Sequence, residues 1–524
     1  MKKIFLETFG CQMNVLDSEL VRGQLRALGY DFIADSDQAD VVLYNTCSVR
    51  QHSEDKVLSR LGRMKIRKTG QPELVVGVLG CMAERDGMKM LKRLPQVDIL
   101  CGPGELDKLP MLLNNAFLTG KQQAALAGNT SRRSGTMESA ADGLETLDLS
   151  RSFSPHENKY QAYVRIVRGC NKFCTYCVVP YTRGPEISRS PGAIIDEARR
   201  LVDAGAGEIT LLGQTVNHYV HQEANGAGRT TFAQLLYRLH ESIPELPRLR
   251  FLTSFPADFG DDILHVMAAC PRICPFLHVP AQSGSNRILK LMNRGYTVED
   301  YHSLVERARR IVPGIALAGD FIVGFPTETQ ADYQATWDLL NQVRLKNSFI
   351  FKYSPRPGTA AIRRYPDDVP DLEKRYRNNH LLELQNKIIH ELNQEMLGTS
   401  VKVLCEGPSG WKNSDDGTPV AASASAASVD RVELGATLAR GLGQVAHAAS
   451  APGKPKSSSA WAAADKMQLV GRTTSDQIVV FDGSAALEGR IVNVRIQATH
   501  GMTLFARLES STPAAETEPM TAVG

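Results

Sequence analysis

The stretch Gly169-Cys170-Asn171-Lys172-Phe173-Cys174-Thr175-Tyr176-Cys177 sets three cysteines at C-x3-C-x2-C spacing directly after a β-rich run, Tyr163 to Val167. Thiolates this close in sequence let one loop wrap one iron–sulfur cluster. Three ligands for four irons leave one iron open, and an open iron can chelate the amino and carboxylate groups of a small molecule such as S-adenosylmethionine (SAM). The competing reading is a zinc knuckle. Zinc spacing normally comes as two C-x2-C pairs, or as one pair with histidines, and the sequence has no second pair.

Upstream, residues 3–118 alternate strand and helix. Lys3–Thr8 reads as a strand that ends at Gly10-Cys11, and Leu16–Leu28 follows at helical period and stops at Gly29. Asp40–Asn45 ends at Thr46-Cys47, and Glu73–Leu79 ends at Gly80-Cys81. Each cysteine therefore stands just past the C-terminal end of a strand. In an open parallel sheet those ends share one edge, and ligands bind there. The spacings of 36 and 34 residues are one βα unit apiece, so Cys11, Cys47 and Cys81 can converge. The alternative is three buried cysteines acting as small hydrophobes. Cys101 ends a fourth strand, Val97–Leu100, and reads as structural.

Residues 119–157 are poor in large apolar side chains, which predicts a flexible linker. Its basic pair Arg132-Arg133 reads as solvated charge. Strand–helix alternation returns over 158–396, with strands expected at Ala162–Val167, Glu208–Leu212, Leu249–Thr253, Phe276–Val279, Ile315–Val323 and Phe349–Tyr353. Over 397–510 five short strands, Ser400–Glu406, Gln468–Gly471, Gln477–Phe481, Gly489–Gln497 and Leu504–Leu508, suggest a small barrel of the kind that binds oligonucleotides. An Ala/Ser/Gly-rich insertion, 407–464, interrupts it, and a Pro/Thr/Glu tail, 511–524, is expected to be disordered.

Composition sets the bounds. At 524 residues the chain should hold several domains. A formal net charge of +3 is too small to argue nucleic-acid binding by itself. Ten cysteines in clustered or strand-end positions fit a reducing compartment rather than a disulfide framework. Glu7 falls where a signal peptide would need its apolar core, and no uncharged run reaches the ~18 residues of a membrane helix. A soluble cytoplasmic protein without membrane contact is expected.

The wider string, Arg168-Gly169-Cys170 through Val178-Val179-Pro180-Tyr181-Thr182-Arg183-Gly184-Pro185-Glu186, resembles the radical-SAM methylthiotransferases. So do Thr8-Phe9-Gly10-Cys11-Gln12-Met13-Asn14, Asn45-Thr46-Cys47 and Gly80-Cys81. The resemblance implies an α/β chain: an N-terminal open parallel sheet, a central partial (β/α)6 barrel, and a C-terminal small β-barrel called TRAM, an RNA-binding module. It implies a SAM-binding 4Fe–4S cluster on Cys170, Cys174 and Cys177, and an auxiliary one on Cys11, Cys47 and Cys81. Tyr176 sits where the superfamily places an aromatic against the adenine of SAM. Gly213, Gln214 and Asn217, then Gln282 and Ser283, then Ile322 resemble segments that line the SAM pocket. Arg294 is a candidate for an anionic group, with a solvated helix-end charge as the alternative.

The activity implied is methylthiolation of carbon 2 of an adenine in the tRNA anticodon loop, consuming two SAM and sulfur held on the auxiliary cluster. Radical generation is the cofactor's chemistry, while the protein orients the target and excludes solvent. The base must be splayed from its loop, where unstacking costs little. An external electron donor and sulfur source are implied as partners, and a monomer is expected. Gln12-Met13 resembles the branch acting on dimethylallyladenosine. The branch acting on threonylcarbamoyl-adenosine typically has Lys-Val there, and the ribosomal-protein branch opens with Gly-Cys-Pro-Lys-Asn. An RNA-binding protein with purely structural clusters is the other class in play, and the strand-end SAM segments argue against it.

Overall fold

Strand β3 (Val41–Thr46) and strand β4 (Val75–Gly80) are buried at every residue, as expected of near-continuous Val/Leu runs covered on both faces. They form the centre of a six-stranded parallel sheet with β1 (Lys3–Thr8), β2 (Asp31–Phe32), β5 (Ile99–Cys101) and β6 (Gln123–Ala125), in the order β2-β1-β3-β4-β5-β6. Helix α1 (Gln12–Ala27) supplies Leu16, Leu20, Val21 and Leu25 to one face, and α2 (Gln51–Gly70) supplies Val57, Leu61 and Met64 to the other. Register pairs Thr8 with Asn45 and Thr46 with Gly80. The residues that follow β1, β3 and β4 therefore leave the sheet at one edge.

The computed structural model describes residues 1–48, 51–127, 145–148, 151, 153–222, 228–410, 412–413, 419–420 and 467–509. Two compact units are present, one holding residues 1–388 and the other the described residues from 389 onward. Two parts of the expected linker depart from that reading. Gln123–Ala125 is the edge strand of the sheet, paired in parallel with β5. Its Gln-Ala-Ala sequence carries no apolar alternation, because an edge strand can live on ladder hydrogen bonds alone. A helical turn at 145–148 buries Leu147 in the α1-side core and Asp148 against Arg165 and Arg168. The remainder of that segment, with Arg132 and Arg133, lies outside the described residues.

The central part of the first unit has six parallel strands: Gln161–Arg165, Glu208–Leu212, Arg248–Leu252, Phe276–His278, Ala316–Val323 and Asn347–Lys352. The first three form one sheet and the last three another. A parallel bridge Leu249–Ile273 and the bond from Ser254 N–H to the His278 carbonyl (3.0 Å) join them in sequence order. Crossover helices alternate with the strands, and their starts are fixed by side chains. Ser190, Thr231, Thr297 and Thr329 each accept an N–H of the first turn, the last three in reciprocal capping boxes.

In the second unit Ser400–Pro408, Met467–Thr473, Ile478–Gly483, Thr503–Leu508 and Ile491–His500 close a barrel in that spatial order. Val403, Cys405, Leu469, Val479, Phe481, Val494, Ile496 and Leu504 fill it. The insertion begins as an extension of the first strand to Pro408, followed by a short antiparallel pair, Lys412–Asn413 with Pro419–Val420. Residues 421–464 and the tail lie outside the described residues. Among the described residues no helix is long and apolar enough to cross a membrane.

Candidate iron–sulfur and SAM site

The Cys170 loop is closed at its base by an antiparallel pairing of Val167–Arg168 with Ile187–Ser188. Gly169 has φ +66°, and a Cβ there would run into the Pro185 and Gly184 carbonyl oxygens. Cys170 N–H donates to the Gly184 carbonyl (3.1 Å) and Cys177 N–H to the Cys174 carbonyl (3.0 Å). Thr175 fastens the loop to the rest of the mouth: its N–H donates to Met292 O, its hydroxyl to Leu291 O, and its carbonyl accepts from Ala361 N–H. Burial pushes the Cys170 thiol up to about 11 and raises Cys177 further, and the charge of neighbouring Cys174 adds to both shifts. Three thiols are thus held close enough to oppose one another's ionisation in a buried site. Thiolates in such a place need a cationic centre to neutralise them, and an iron cluster fits this donor set.

Arg294 is buried, not solvated. Its guanidinium donates to Cys174 Sγ (3.3 Å), the Pro280 carbonyl (3.0 Å) and the Tyr296 hydroxyl (3.0 Å), and lies 4.6 Å from the centre of the Phe255 ring. Tyr176 and Ile322 pack together against Ile288, Met292, Phe325, Tyr353 and Ala361, an apolar wall beside the cysteine loop. Gln282, at φ +72°, donates from its N–H to the Asp320 carbonyl and accepts from Ile322 N–H, so its backbone ties the fourth strand's loop to the fifth strand. Gly213 sits in a tight place, since a Cβ there would stand 3.1 Å from Val216 Cγ1 and 3.3 Å from Val167 Cβ. Gln214 follows it, half-buried.

Two expected pocket residues make hydrogen bonds within the fold. The Asn217 amide both donates to and accepts from the Phe255 backbone (3.0 and 2.7 Å), which spends it on joining two strand-end loops. Ser283 is fully buried with its hydroxyl against Thr336 of the helix Gln330–Val343 and the Ser285 N–H.

At the N-terminal sheet edge, Cys11 precedes α1, Cys47 follows β3, and Cys81 opens the helix α3 (Cys81–Asp86). Gly10, at φ +129°, lies so close to Cys47 that a Cβ would overlap the Cys47 Cβ. Burial raises the Cys81 thiol; the charge of Arg183 pulls it down, and the charge of Cys11 raises it again. Cys47 thus lies beside the Gly10 that precedes Cys11, and Cys11 is near enough to Cys81 to act on its charge. Among the described residues no group of three His, Cys, Asp or Glu side chains is drawn in as for a bound metal ion; the fit rests on the thiol chemistry. Cys101 is elsewhere. It lies inside the α1-side core, and its thiol donates to the Glu105 carbonyl (3.1 Å).

Sequence reading missed three residues here. Arg183 Nη2 donates to Asn14 Oδ1 (3.0 Å) and Asp17 Oδ2 (2.8 Å). Arg356 Nη1 donates to Gln51 and Glu54, both at 2.8 Å. Fully buried Asp17 also accepts from Arg165 (3.1 Å). Arg183 lies in the string that carries the resemblance, but no local periodicity reports a partner 166 residues away.

Family models match in three places: Uncharacterized protein family UPF0004 over residues 3–102, the Radical SAM superfamily over 164–340, and the TRAM domain over 462–508. A tRNA-2-methylthio-N(6)-dimethylallyladenosine synthase of Rhodopirellula baltica is 41% identical, covering 97% of this chain and 96% of its own. Synthases of the same name from Protochlamydia amoebophila and Aquifex aeolicus are each 42% identical, over 78% and 77% of this chain and 86% and 88% of theirs. The chain belongs to the tRNA-2-methylthio-N(6)-dimethylallyladenosine synthase family. It is a radical-SAM enzyme, and its family implies 4Fe–4S clusters and SAM. The first matched segment contains Cys11, Cys47 and Cys81, and the second contains Cys170, Cys174 and Cys177.

Proposed function

We propose that this chain transfers a methylthio group to carbon 2 of N(6)-dimethylallyladenosine in the tRNA anticodon loop. Cys170, Cys174 and Cys177 would hold the SAM-binding 4Fe–4S cluster, and Cys11, Cys47 and Cys81 the auxiliary one. The observation that carries this reading is the pair of cysteine triplets, each gathered at a strand-end edge inside one compact unit, in a chain aligned with its relatives from end to end. When bound, the clusters supply one-electron chemistry on SAM and a carrier for sulfur.

The chain's own residues do the positioning. Gly169 and Thr175 hold the cysteine loop at the barrel mouth, and Arg294 donates to the Cys174 sulfur. The apolar wall of Tyr176 and Ile322 suits the adenine of SAM, with Gly213, Gln214 and Gln282 at neighbouring strand ends. Met13 is buried in the core cluster against which Cys11 packs, where it supports the edge. The C-terminal barrel is assigned to RNA contact outside the target base. Residues 1–118, 158–396 and 397–510 act as three modules of a cytoplasmic monomer that draws electrons and replacement sulfur from outside.

Anaerobically reconstituted protein should bind about eight irons, four per triplet, and should methylthiolate tRNA carrying dimethylallyladenosine but not tRNA lacking it. Saturation near four irons, or turnover of threonylcarbamoyl-tRNA or a ribosomal-protein peptide in its place, overturns the reading.

A further inference from the structure

Side chains alternate in direction along the fifth barrel strand, Ala316–Val323. Leu317 points outward, where with Leu277 and Val279 it meets Tyr301 and Leu304 of the helix Val298–Ile311. Asp320 and Ile322 therefore point the other way, into the barrel, and both are half-buried while Phe321 and Val323 are buried. Ile322 packs with Tyr176 in the apolar wall beside the cysteine loop. Asp320 stands one pleat deeper on the same face.

The Asp320 carboxylate is aimed by its neighbours. His278, on the adjoining fourth strand, reaches Oδ1 with Nε2 (3.2 Å), and its Nδ1 meets the Thr253 hydroxyl (3.0 Å) just past the third strand. A ring with its proton on Nε2 serves both partners, donating to the carboxylate and accepting from the hydroxyl. Phe349 pairs in register with Asp320 on the sixth strand and stands edge-on to the His278 ring, with 6.5 Å between centroids. Phe351, opposite Ile322, lies within 13° of parallel to Phe349, and both rings are half-buried. Third, fourth and sixth strands thus all contribute to holding this group. Its other oxygen, Oδ2, accepts no hydrogen bond among the described residues, and no Lys or Arg pairs with the carboxylate there; 22% of the side chain is exposed.

A fixed carboxylate with one open oxygen accepts a hydrogen bond strongly, and donates none. Beside two aromatic rings, that chemistry suits a flat base carrying an N–H on its edge. Adenine alkylated at N6 keeps one such hydrogen, whereas a base with a carbonyl oxygen at that position would set acceptor against acceptor. Resting on the target base proposed above, we infer that Asp320 is a specificity-determining residue whose Oδ2 accepts the N6–H of the dimethylallyladenine. His278 is a positioning residue that holds the carboxylate, and Phe349 and Phe351 offer the base a stacking face. No bond is made or broken at Asp320 in this role; it registers the base so that carbon 2 is presented in one orientation.

The test gives full-length protein, with its clusters reconstituted, two tRNAs assembled by ligation around a synthetic anticodon loop. One carries N(6)-dimethylallyladenosine, and the other the ether in which oxygen replaces N6, which has the same shape and no N–H. Wild type should methylthiolate the ether about ten- to a hundredfold less efficiently in kcat/KM, the worth of one hydrogen bond to a charged group. Asp320→Asn, which can turn an amide N–H toward the base, should slow the natural substrate and narrow that ratio at least tenfold. A carboxylate that serves SAM or only braces His278 would, when replaced, slow both RNAs alike and leave the ratio as it was, and the inference falls. Equal use of the two RNAs by wild type overturns it as well. Should Asp320→Asn fail to hold iron, His278→Phe takes its place: it removes the donor that aims the carboxylate and should narrow the ratio in the same direction, and an unchanged ratio overturns the inference. Product from neither RNA with wild type overturns the proposed function itself, whereas product from the natural RNA with no preference over the ether overturns this inference alone.

Discussion

Arg294 stands in Met292-Asn293-Arg294-Gly295-Tyr296, where sequence offers a cation near a helix end and such cations usually reach water. Tertiary contacts decide otherwise. Phe255 and Tyr296, from two different strand-end loops, form a ring-lined slot in which the guanidinium lies. Three of its hydrogen bonds end on a sulfur, a carbonyl and a phenol, none of them a carboxylate. A buried cation so placed would be stabilised by anionic thiolates, and in the proposed assignment it would help to retain the cluster. Arg294→Met keeps the volume and removes the donors; iron at the Cys170/Cys174/Cys177 site should then be lost to a chelator on the order of ten- to a hundredfold faster, the range seen when groups behind metal ligands are removed. Tyr296→Phe, which leaves the guanidinium in place, should change release far less. Equal release from Arg294→Met and wild type would remove Arg294 from the cluster's support. The strand-end placement of Cys11, Cys47 and Cys81 and the loop placement of Cys170, Cys174 and Cys177 were legible because their spacing is local or repeats with the βα unit. The arginines were not, because their partners are set by loops far apart in sequence.

Among the elements, the cysteine loop separates two glycines that sequence alone treats alike. Gly169 and Gly184 both have positive φ, +66° and +76°. A side chain at Gly184 would meet nothing within 4 Å, whereas one at Gly169 would strike the crossing backbone at Pro185. Gly184→Ala therefore costs only the left-handed conformation, about 1–2 kcal/mol. Gly169→Ala adds an overpacking cost of about 1–3 kcal/mol and opens the base of the loop. Expected is a Gly169→Ala protein with native circular dichroism that binds about half the iron of wild type, because one of two clusters is lost, while Gly184→Ala retains both; full iron content in Gly169→Ala would show that the loop can shift aside. Strand positions here were largely readable. Val/Ile/Leu runs bounded by Gly, Pro and Cys gave all six barrel strands to within about two residues, the usual error at element ends. Gln123–Ala125 was not readable, since an edge strand held by β5 needs no apolar pattern of its own. Nor was the turn at 145–148, whose burial depends on arginines that follow in the chain.

Across the whole first unit, the N-terminal sheet and the barrel are joined by buried charge rather than by apolar surface alone. Asp148 accepts from Arg165 and Arg168 and stands 3.6 Å from Arg189; Arg165 continues to Asp17 on α1, and Arg189 continues to Glu145 and Glu197. Arg356 and Arg85 close a second tie on Glu54. Burial opposes the Asp148 charge, yet Arg165, Arg189 and Arg168 together hold its carboxyl well below the usual carboxylate range. A depressed carboxylate contributes stability that is fully present above its unfolded pKa of about 3.9 and is lost only as pH falls through the lower folded value. Asp148→Asn removes that charge and leaves three guanidiniums facing one another, which should cost about 3–5 kcal/mol at neutral pH. The cost should shrink as the solution is acidified, because wild type itself loses the interaction there. Adding Arg165→Met to Asp148→Asn should restore part of the loss, since it withdraws one uncompensated cation. Urea unfolding followed by circular dichroism at neutral and acid pH measures all three proteins. If the single variant unfolds at the wild-type midpoint, or the double variant is worse by the sum of the two singles, the charge network is not what joins the sheet to the barrel, and their docking must come from packing alone.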